Sequence, residues 1–212
     1  MARNLAEISN NDEEKNRLMG DKWNIDLRVA CPGIIQSFDP IEQTVTVQLA
    51  LRENVSNSEY EKKWKQIPQL LDVPIIIPRA GGYCITMPIR KGDECLVIFG
   101  DMCIDAWWEH GGIQNQMDKS MRRHDLSDGF AILGPWSQPR VIKNYSTDSC
   151  QIRNESGNSC IELKDGIINI NSNTVNINAK NVNVNASQTV LDGIVWDSHK
   201  HPGVHGMTGG PC

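Results

Sequence analysis

Residues 168–188 read Ile-Asn-Ile-Asn-Ser-Asn-Thr, Val-Asn-Ile-Asn-Ala-Lys-Asn and Val-Asn-Val-Asn-Ala-Ser-Gln, and these three units of seven residues decide the fold of the C-terminal third. Within each unit apolar and polar residues alternate, which is the period of a strand with one buried face. The apolar spacing of two, the β-branched side chains and the many Asn disfavour a helix or coiled coil. The pattern therefore predicts three very short strands joined by tight polar turns, with a fourth at residues 189–191.

Strands this short cannot bury their apolar faces within one chain. About five residues span about 17 Å, and each coil of a leucine-rich solenoid uses about 20–29 residues. Three copies wound about one axis would supply the missing sides, with Ile and Val inside and Asn outside. We therefore predict an intertwined trimer with a triple-stranded β-helix. The alternatives are an edge meander packed on a larger domain and an Asn-rich, aggregation-prone tract.

Composition narrows the class of protein. The 212 residues carry a net charge of −5 without a basic stripe, which argues against nucleic-acid binding. No apolar run is long enough for a membrane-spanning helix, and the polar N-terminus lacks the apolar core of a signal peptide, so we expect synthesis in a cytoplasm. The seven Cys are odd in number and form no CxxC, which argues against a disulfide framework and a zinc ribbon. Cys95 is expected to be a buried apolar residue.

Alternation and turn residues predict a mostly β domain over residues 23–137. The expected elements are a strand at 28–38 broken by Pro32-Gly33, a strand at 44–51 in a hairpin with it, a polar loop at 53–66, an edge strand at 73–78, strands at 83–88 and 94–99, a helix at 101–109 with Asp101 as N-cap and Gly111 as stop, and a strand at 130–133. Five or six short antiparallel strands with one helix indicate a small barrel such as the OB-fold.

The predicted fold class is all-β: an N-terminal OB-fold-like barrel followed by an intertwined trimeric triple-stranded β-helix with a metal-capped tip. The expected divisions are an N-terminal arm or helix at 1–22, the OB-fold-like domain at 23–137, a connector at 138–160, the β-helix at 161–196 and the apex at 197–212.

Three of the five His lie within the C-terminal tail. On a strand, His199 and His201 point to the same side, so three chains would bring six imidazoles to one axis. Six nitrogens would be octahedral, which disfavours zinc and makes Fe(II) our first choice, although other transition metals suit imidazole too. The metal would be structural, since no coordination position stays open. His205 follows Pro202-Gly203 and is expected to leave the axis, and the alternative for each is an ordinary surface imidazole.

The chemistry of the remaining residues does not indicate an enzyme. No nucleophile elbow, HExxH, P-loop or dinucleotide motif occurs, so we predict no catalytic and no cofactor-binding residues. The nearest acid–base pairs, Glu109-His110 and His124-Asp125, have no recognisable third partner. A binding module is the other rival, because OB folds bind single strands or sugars. Trp107 and Trp108 could then stack on a ligand, but packing in the core or between subunits is expected instead.

Several segments resemble the central spike of contractile phage tails and phage-tail-like bacteriocins, of the baseplate assembly protein V type, including relatives that begin with an OB-domain. They are residues 81–89 followed by Lys91-Gly-Asp93, then 101–108, 123–128, the Asn-alternating repeats and the tail His199-Lys-His201.

The resemblance implies a homotrimer with a collar of OB-domains and a β-helical needle. An iron ion at its apex would be held by six His Nε2 atoms, two from each chain, here His199 and His201. Such a spike caps the tail tube on the baseplate hub and breaches the target cell envelope mechanically, without enzymatic activity. Its expected place is the tip of the tail of a virion or bacteriocin particle assembled in the bacterial cytoplasm.

Overall fold

The structure, a computed structural model, describes residues 12–56, 62–116, 122–204 and 206–207. The chain divides into two compact units, Met1–Val141 and Ile142–Cys212. Residues 1–11 of the predicted N-terminal arm lie outside the described residues. The following segment forms a helix that runs several residues past the predicted end of the arm.

The first unit is mostly β. In chain order its elements are α1 (Asp12–Asp26), β1 (Ala30–Asp39), β2 (Thr44–Leu49), β3 (Glu53–Ser56), β4 (Lys62–Lys65), β5 (Leu70–Ile76), β6 (Arg79–Ala80), β7 (Tyr83–Cys84), β8 (Glu94–Phe99), α2 (Asp105–His110), β9 (Gly129–Leu133) and a 3₁₀ turn at Gln138–Arg140.

Five of these strands close into a barrel in the order β1-β2-β5-β9-β8, with β1 pairing β8 to complete the ring. All pairs are antiparallel except β5 and β9, which run parallel. A small closed barrel of five strands fits the expected all-β, OB-like domain. The predicted hairpin of the first two strands is confirmed by the β1–β2 pairing.

The barrel core follows from the alternation in its strands. In β8, Cys95, Val97 and Phe99 are buried, while the residues between them are partly exposed. Ile35 of β1 and Val47 of β2 are completely buried. Cys95 is buried in the apolar core, as predicted, and this burial raises the pKa of its thiol to about 11.

Two predictions for the barrel strands were wrong, each because pairing partners distant in sequence decide the outcome. β1 runs unbroken through Gly33, which pairs with both Leu49 and Cys95. The segment around Pro74 is not an edge strand, since closure places β5 between β2 and β9. Its proline is accommodated beside a register shift in the β2–β5 pairing, where Asp72 has a φ of 53°.

Three predictions for the connecting segments also need correction. The polar loop at 53–66 contains the hairpin β3–β4. The strand predicted at 83–88 is reduced to β7, paired with β6 across the predicted glycine turn. Helix α2 begins at Asp105, and its N-cap is Ile104 rather than Asp101. The helix ends at His110, and Gly111, the predicted stop, is its C-cap with a φ of 67°.

The second unit contains short strands and turns. They are β10 (Cys150–Arg153), β11 (Cys160–Lys164), β12 (Ile167–Asn171), β13 (Val190–Leu191), β14 (Ile194–Val195), a 3₁₀ turn at Trp196–Ser198, β15 (Pro202–Gly203) and β16 (Gly206–Met207). Strands β10, β11 and β12 form one antiparallel sheet, and the other four pair as two hairpins.

The repeats form a strand only where the single chain supplies a partner. β12, in the first unit of seven residues, pairs with β11, whereas residues 172–189 contain no strand. The strands predicted in the second and third repeats do not form in the single chain, because their backbone groups have no neighbouring strand to bond. Their formation in an intertwined trimer stays a prediction. Val175, Ile177, Val182 and Val184 are all more than half exposed there. Their expected burial would have to come from other copies of the chain.

Candidate metal centre

The segment that precedes the paired histidines is a tight hairpin. β13 and β14 are joined by Asp192 and Gly193, whose φ values of 50° and 76° are both positive. Positive φ at both central residues is the type I′ geometry that an Asp-Gly pair favours. The backbone N–H of Trp196 then donates to the carbonyl of Thr189 at 2.8 Å. The hairpin thus fixes where Trp196 lies.

His199 is held against that hairpin through Trp196. Its Nδ1 lies 2.7 Å from the Trp196 carbonyl oxygen, and the two ring centroids are 4.8 Å apart. Because a carbonyl oxygen can only accept, this hydrogen bond requires the imidazole proton to be on Nδ1. Nε2 is then left with the lone pair that a metal ion needs. Sequence reasoning selected His199 but missed this contact.

His201 lies next to His199. The centroids of the two rings are 5.0 Å apart and nearly perpendicular, at 88°. Residues 199–201 are not in a strand, so the proximity predicted from strand alternation arises from a turn and an extended segment instead. His199 is half-buried, and His201 is exposed. His205, expected to lie off the axis, is outside the described residues.

Two imidazoles from one chain are too few to enclose a transition-metal ion. Among the residues that the structure describes, no group of three His, Cys, Asp or Glu with converging ligand atoms includes His199 or His201. The donor type suits Fe, Ni, Cu or Zn, and His199 offers a free Nε2. The two histidines are therefore suitable donors for a transition metal only if further ligands complete the coordination.

One converging group does occur in the first unit. Ligand atoms of Cys103, Asp105 and Asp128 lie within 4.8 Å of one another. The Arg122 guanidinium fills this space, with Nη2 donating to Asp105 at 2.7 Å and to Asp128 at 2.9 Å. Asp128 is completely buried and also accepts from the backbone N–H of Ile104. The carboxylates in turn raise the pKa of Arg122, so this is an ion-pair network rather than a metal site.

The barrel containing this network resembles a known phage domain. Residues 31–134 match the family model described as the phage protein Gp138 N-terminal domain. The matched range runs from β1 to just after β9, just under half of the chain. No curated protein matches the sequence. The resemblance to phage tail proteins is therefore supported for the barrel at the level of a phage protein domain.

The acid–base pairs do not assemble into a catalytic group. His110 Nε2 lies 3.7 Å from Glu109 Oε2, with both side chains exposed. His124 Nε2 lies 3.4 Å from Asp101 rather than from the adjacent Asp125. Trp107 contacts Phe130 of the barrel edge-on, with centroids 5.8 Å apart, but Trp107 and Trp108 are 46% and 44% exposed, so neither lies in the core. Their packing between subunits stays a prediction.

No helix in the described residues, 12–56, 62–116, 122–204 and 206–207, is long and apolar enough to span a bilayer.

Proposed function

We propose that this chain is the homotrimeric central spike of a contractile tail, in a phage or a phage-tail-like bacteriocin, and that it breaches the target envelope mechanically. The match of the barrel to a phage protein domain supports the class of particle. The observation that carries the trimeric spike is an exposed, continuous apolar surface in the second unit.

That surface is one face of the sheet β10–β11–β12, called here the apolar sheet face. Cross-strand partners point to the same side of a sheet, and so do residues two apart. Ile152, Ile161 and Ile170 are in register across the three strands, and so are Cys150, Leu163 and Ile168. The five aliphatic side chains are 43–69% exposed. A monomer gains nothing from such a face, which is typical of a surface covered by a partner.

The opposite face of the same sheet is polar. Gln151, Glu162 and Asn169 are in register there, and both amides donate to the Glu162 carboxylate. Ser149 also donates to it, and these hydrogen bonds lower its pKa to about 2. A sheet with one apolar face and one hydrogen-bonded polar face is expected for the wall of a three-chain prism whose interior is apolar.

The apolar sheet face continues into the repeats. A groove of about 430 Å³ is lined by Ile161 and Ile170 of the sheet and by Val175 of the second repeat, among others. Ile177, Val182 and Val184 then continue the alternation and are exposed in the single chain. Three copies around one axis would cover sheet and repeats together, and would leave Asn in solvent.

A threefold axis also fits the two histidines. His199 and His201 from three chains would give six nitrogens, which suits one octahedral Fe²⁺ per trimer better than tetrahedral zinc. The ion would hold the three chain ends together at the tip. The proposed partners of the trimer are the tail-tube or hub proteins of the baseplate. Its metal-capped tip would meet the target envelope. The proposed location is therefore the tip of the tail in the particle.

A second function is an OB-fold adaptor of a baseplate or secretion apparatus without a piercing role. The family match favours it in one respect, since it covers the barrel and none of β10–β16. An adaptor would not require the apolar sheet face to meet two further copies.

Mass in solution and metal content test the proposal together. The spike should sediment as three chains of 23.7 kDa and retain one iron per three chains. A double variant, His199→Ala with His201→Ala, should keep the trimer and lose the iron, because the apolar surface rather than the ion holds the chains together. A monomer would contradict the spike, and iron retained by the double variant would contradict the ligands.

A further inference from the structure

We propose that Trp196 and the hairpin preceding it form a positioning element that presets His199 for metal binding before any ion arrives. This inference rests on the proposed metal site and adds residues to it that do not touch the ion. It concerns residues 189–196, a segment in which sequence reasoning expected only a fourth short strand.

The hairpin β13–β14 is rigid. Its type I′ turn at Asp192-Gly193 matches the twist of the flanking strands. The Val190–Val195 and Leu191–Ile194 pairs and the Trp196-to-Thr189 hydrogen bond close the loop. Trp196 is therefore anchored from its own backbone N–H, and its carbonyl oxygen is held in one direction.

The fixed Trp196 carbonyl orients the imidazole of His199. The Trp196 carbonyl accepts from His199 Nδ1, and its indole packs on the imidazole at a tilt of 38°. The hydrogen bond selects the tautomer whose Nε2 carries a lone pair, and the ring contact limits rotation of the imidazole. Metal-bound histidines commonly donate their second N–H in this way, to a backbone carbonyl or a carboxylate.

His199 and His201 differ in burial and in contacts. His199 is half-buried beside the indole, whereas His201 is exposed and meets the edge or face of His199 at 88°. His199 is thus the ligand whose orientation is fixed before metal binding. His201 and the histidines of the other two chains would adjust to it when the ion binds. Loss of Trp196 should weaken metal binding even though the indole would contact no metal.

The test compares Fe(II) affinity of full-length trimers under anaerobic conditions, by competition with a chelator. Trp196→Ala keeps the backbone carbonyl that accepts from His199 Nδ1 but removes the indole that packs on the imidazole, so it should weaken binding by about 10-fold, the lower end of the range for a lost supporting contact. Trp196→Phe keeps an aromatic ring on His199 and should bind within a few-fold of the wild type. Equal affinity of wild type and Trp196→Ala would overturn the inference.

A second pair of variants separates the hairpin from general loss of stability. Gly193→Ala forces a side chain into a positive φ at the hairpin turn, where the surrounding space is open. Gly166→Ala does the same at the β11–β12 turn, with a φ of 69° and equally open space. We expect weaker Fe(II) binding for Gly193→Ala only. Equal losses in both variants would contradict a specific role of the hairpin.

The metal-free protein provides an independent readout. Nitrogen-15 NMR of the wild type should find His199 with its proton on Nδ1. In Trp196→Ala the carbonyl is kept but the imidazole can rotate away from it, so a smaller fraction of this tautomer is expected. A wild-type His199 protonated on Nε2 would overturn the inference. Failure of the proposed function looks different, because the wild type would then sediment as a monomer, and failure of the metal site would leave a wild-type trimer without iron.

Discussion

Gly33 is the residue on which the tight closure of the barrel depends. It is buried in β1 between its partners Leu49 and Cys95. A Cβ built there would run into Val47 Cγ1 and would lie 3.2 Å from the Cys95 sulfur. Since a closed ring of strands cannot spread locally, a methyl group at this position has nowhere to go.

We therefore predict that Gly33→Ala destabilises the barrel by about 1–3 kcal/mol, the usual cost of overpacking a core. A lower urea midpoint, followed by circular dichroism, would measure it. Gly20→Ala is the matched control, because Gly20 lies in α1 with open space around it. Alanine there favours the helix by up to about 1 kcal/mol. Equal midpoints for the Gly33 variant and the wild type would refute the packing argument.

Asp128 stabilises the loops above the barrel through its buried carboxylate. We predict that Asp128→Asn costs about 1.5–3 kcal/mol, because charge-assisted hydrogen bonds to Arg122 are lost and the guanidinium is only one-third exposed. Asp105→Asn removes a half-exposed partner of the same arginine and should cost under about 1 kcal/mol. Thermal unfolding of both variants would measure the difference, and a larger loss for the Asp105 variant would reverse the assignment.

Single elements differ in how far sequence could predict them. Alternation in the strands at 44–49 and 94–99 was sufficient, because both of their core-facing sets are local patterns. The β3–β4 hairpin was missed, since its strands are polar and their pairing is not visible in the pattern. Asp101 resembled an N-cap, but it contacts Arg123 and His124 instead, from a segment 22 residues away. Long-range partners, which one sequence does not reveal, decided these cases.

The candidate metal centre was likewise predictable in part. His199 and His201 were predictable from their spacing alone. The Trp196 contact was not, because it depends on a 3₁₀ turn that bends the chain back by three residues. The Arg122–Asp128 network was missed for the opposite reason, since its members come from three separate loop positions brought together by the barrel.

The sheet β10–β11–β12 should respond to acid through Glu162. Its pKa is held at about 2 by hydrogen bonds from Asn169, Ser149 and Gln151, against an ordinary value of 4.5. A lowered pKa in the folded state gives stability that is present above pH 4.5 and is lost as the pH falls toward 2. Glu162→Gln should therefore be less stable than the wild type at neutral pH, and the difference should shrink across that window.

Acid titration of hydrogen-exchange protection in β11 would follow this difference. Glu155→Gln, at an exposed turn residue of the same unit, is the control and should not change the acid profile. A stability difference between wild type and Glu162→Gln that stays constant from neutral pH to pH 2 would show that the carboxylate is not the cause.

At the scale of the whole molecule, the proposed threefold axis is tested by Ile177, which only a trimer would bury. Ile177 lies in the middle repeat and is exposed in the single chain. In a trimer, Ile177→Asp would bring three unpaired carboxylates together in an apolar interior, which is strongly unfavourable. We therefore predict monomers by analytical ultracentrifugation. Asn176→Asp adds the same charge to the neighbouring residue, which alternation places on the solvent side, and should stay trimeric. An intact trimer of the Ile177 variant, or dissociation of both variants alike, would mean that Ile177 does not face the axis.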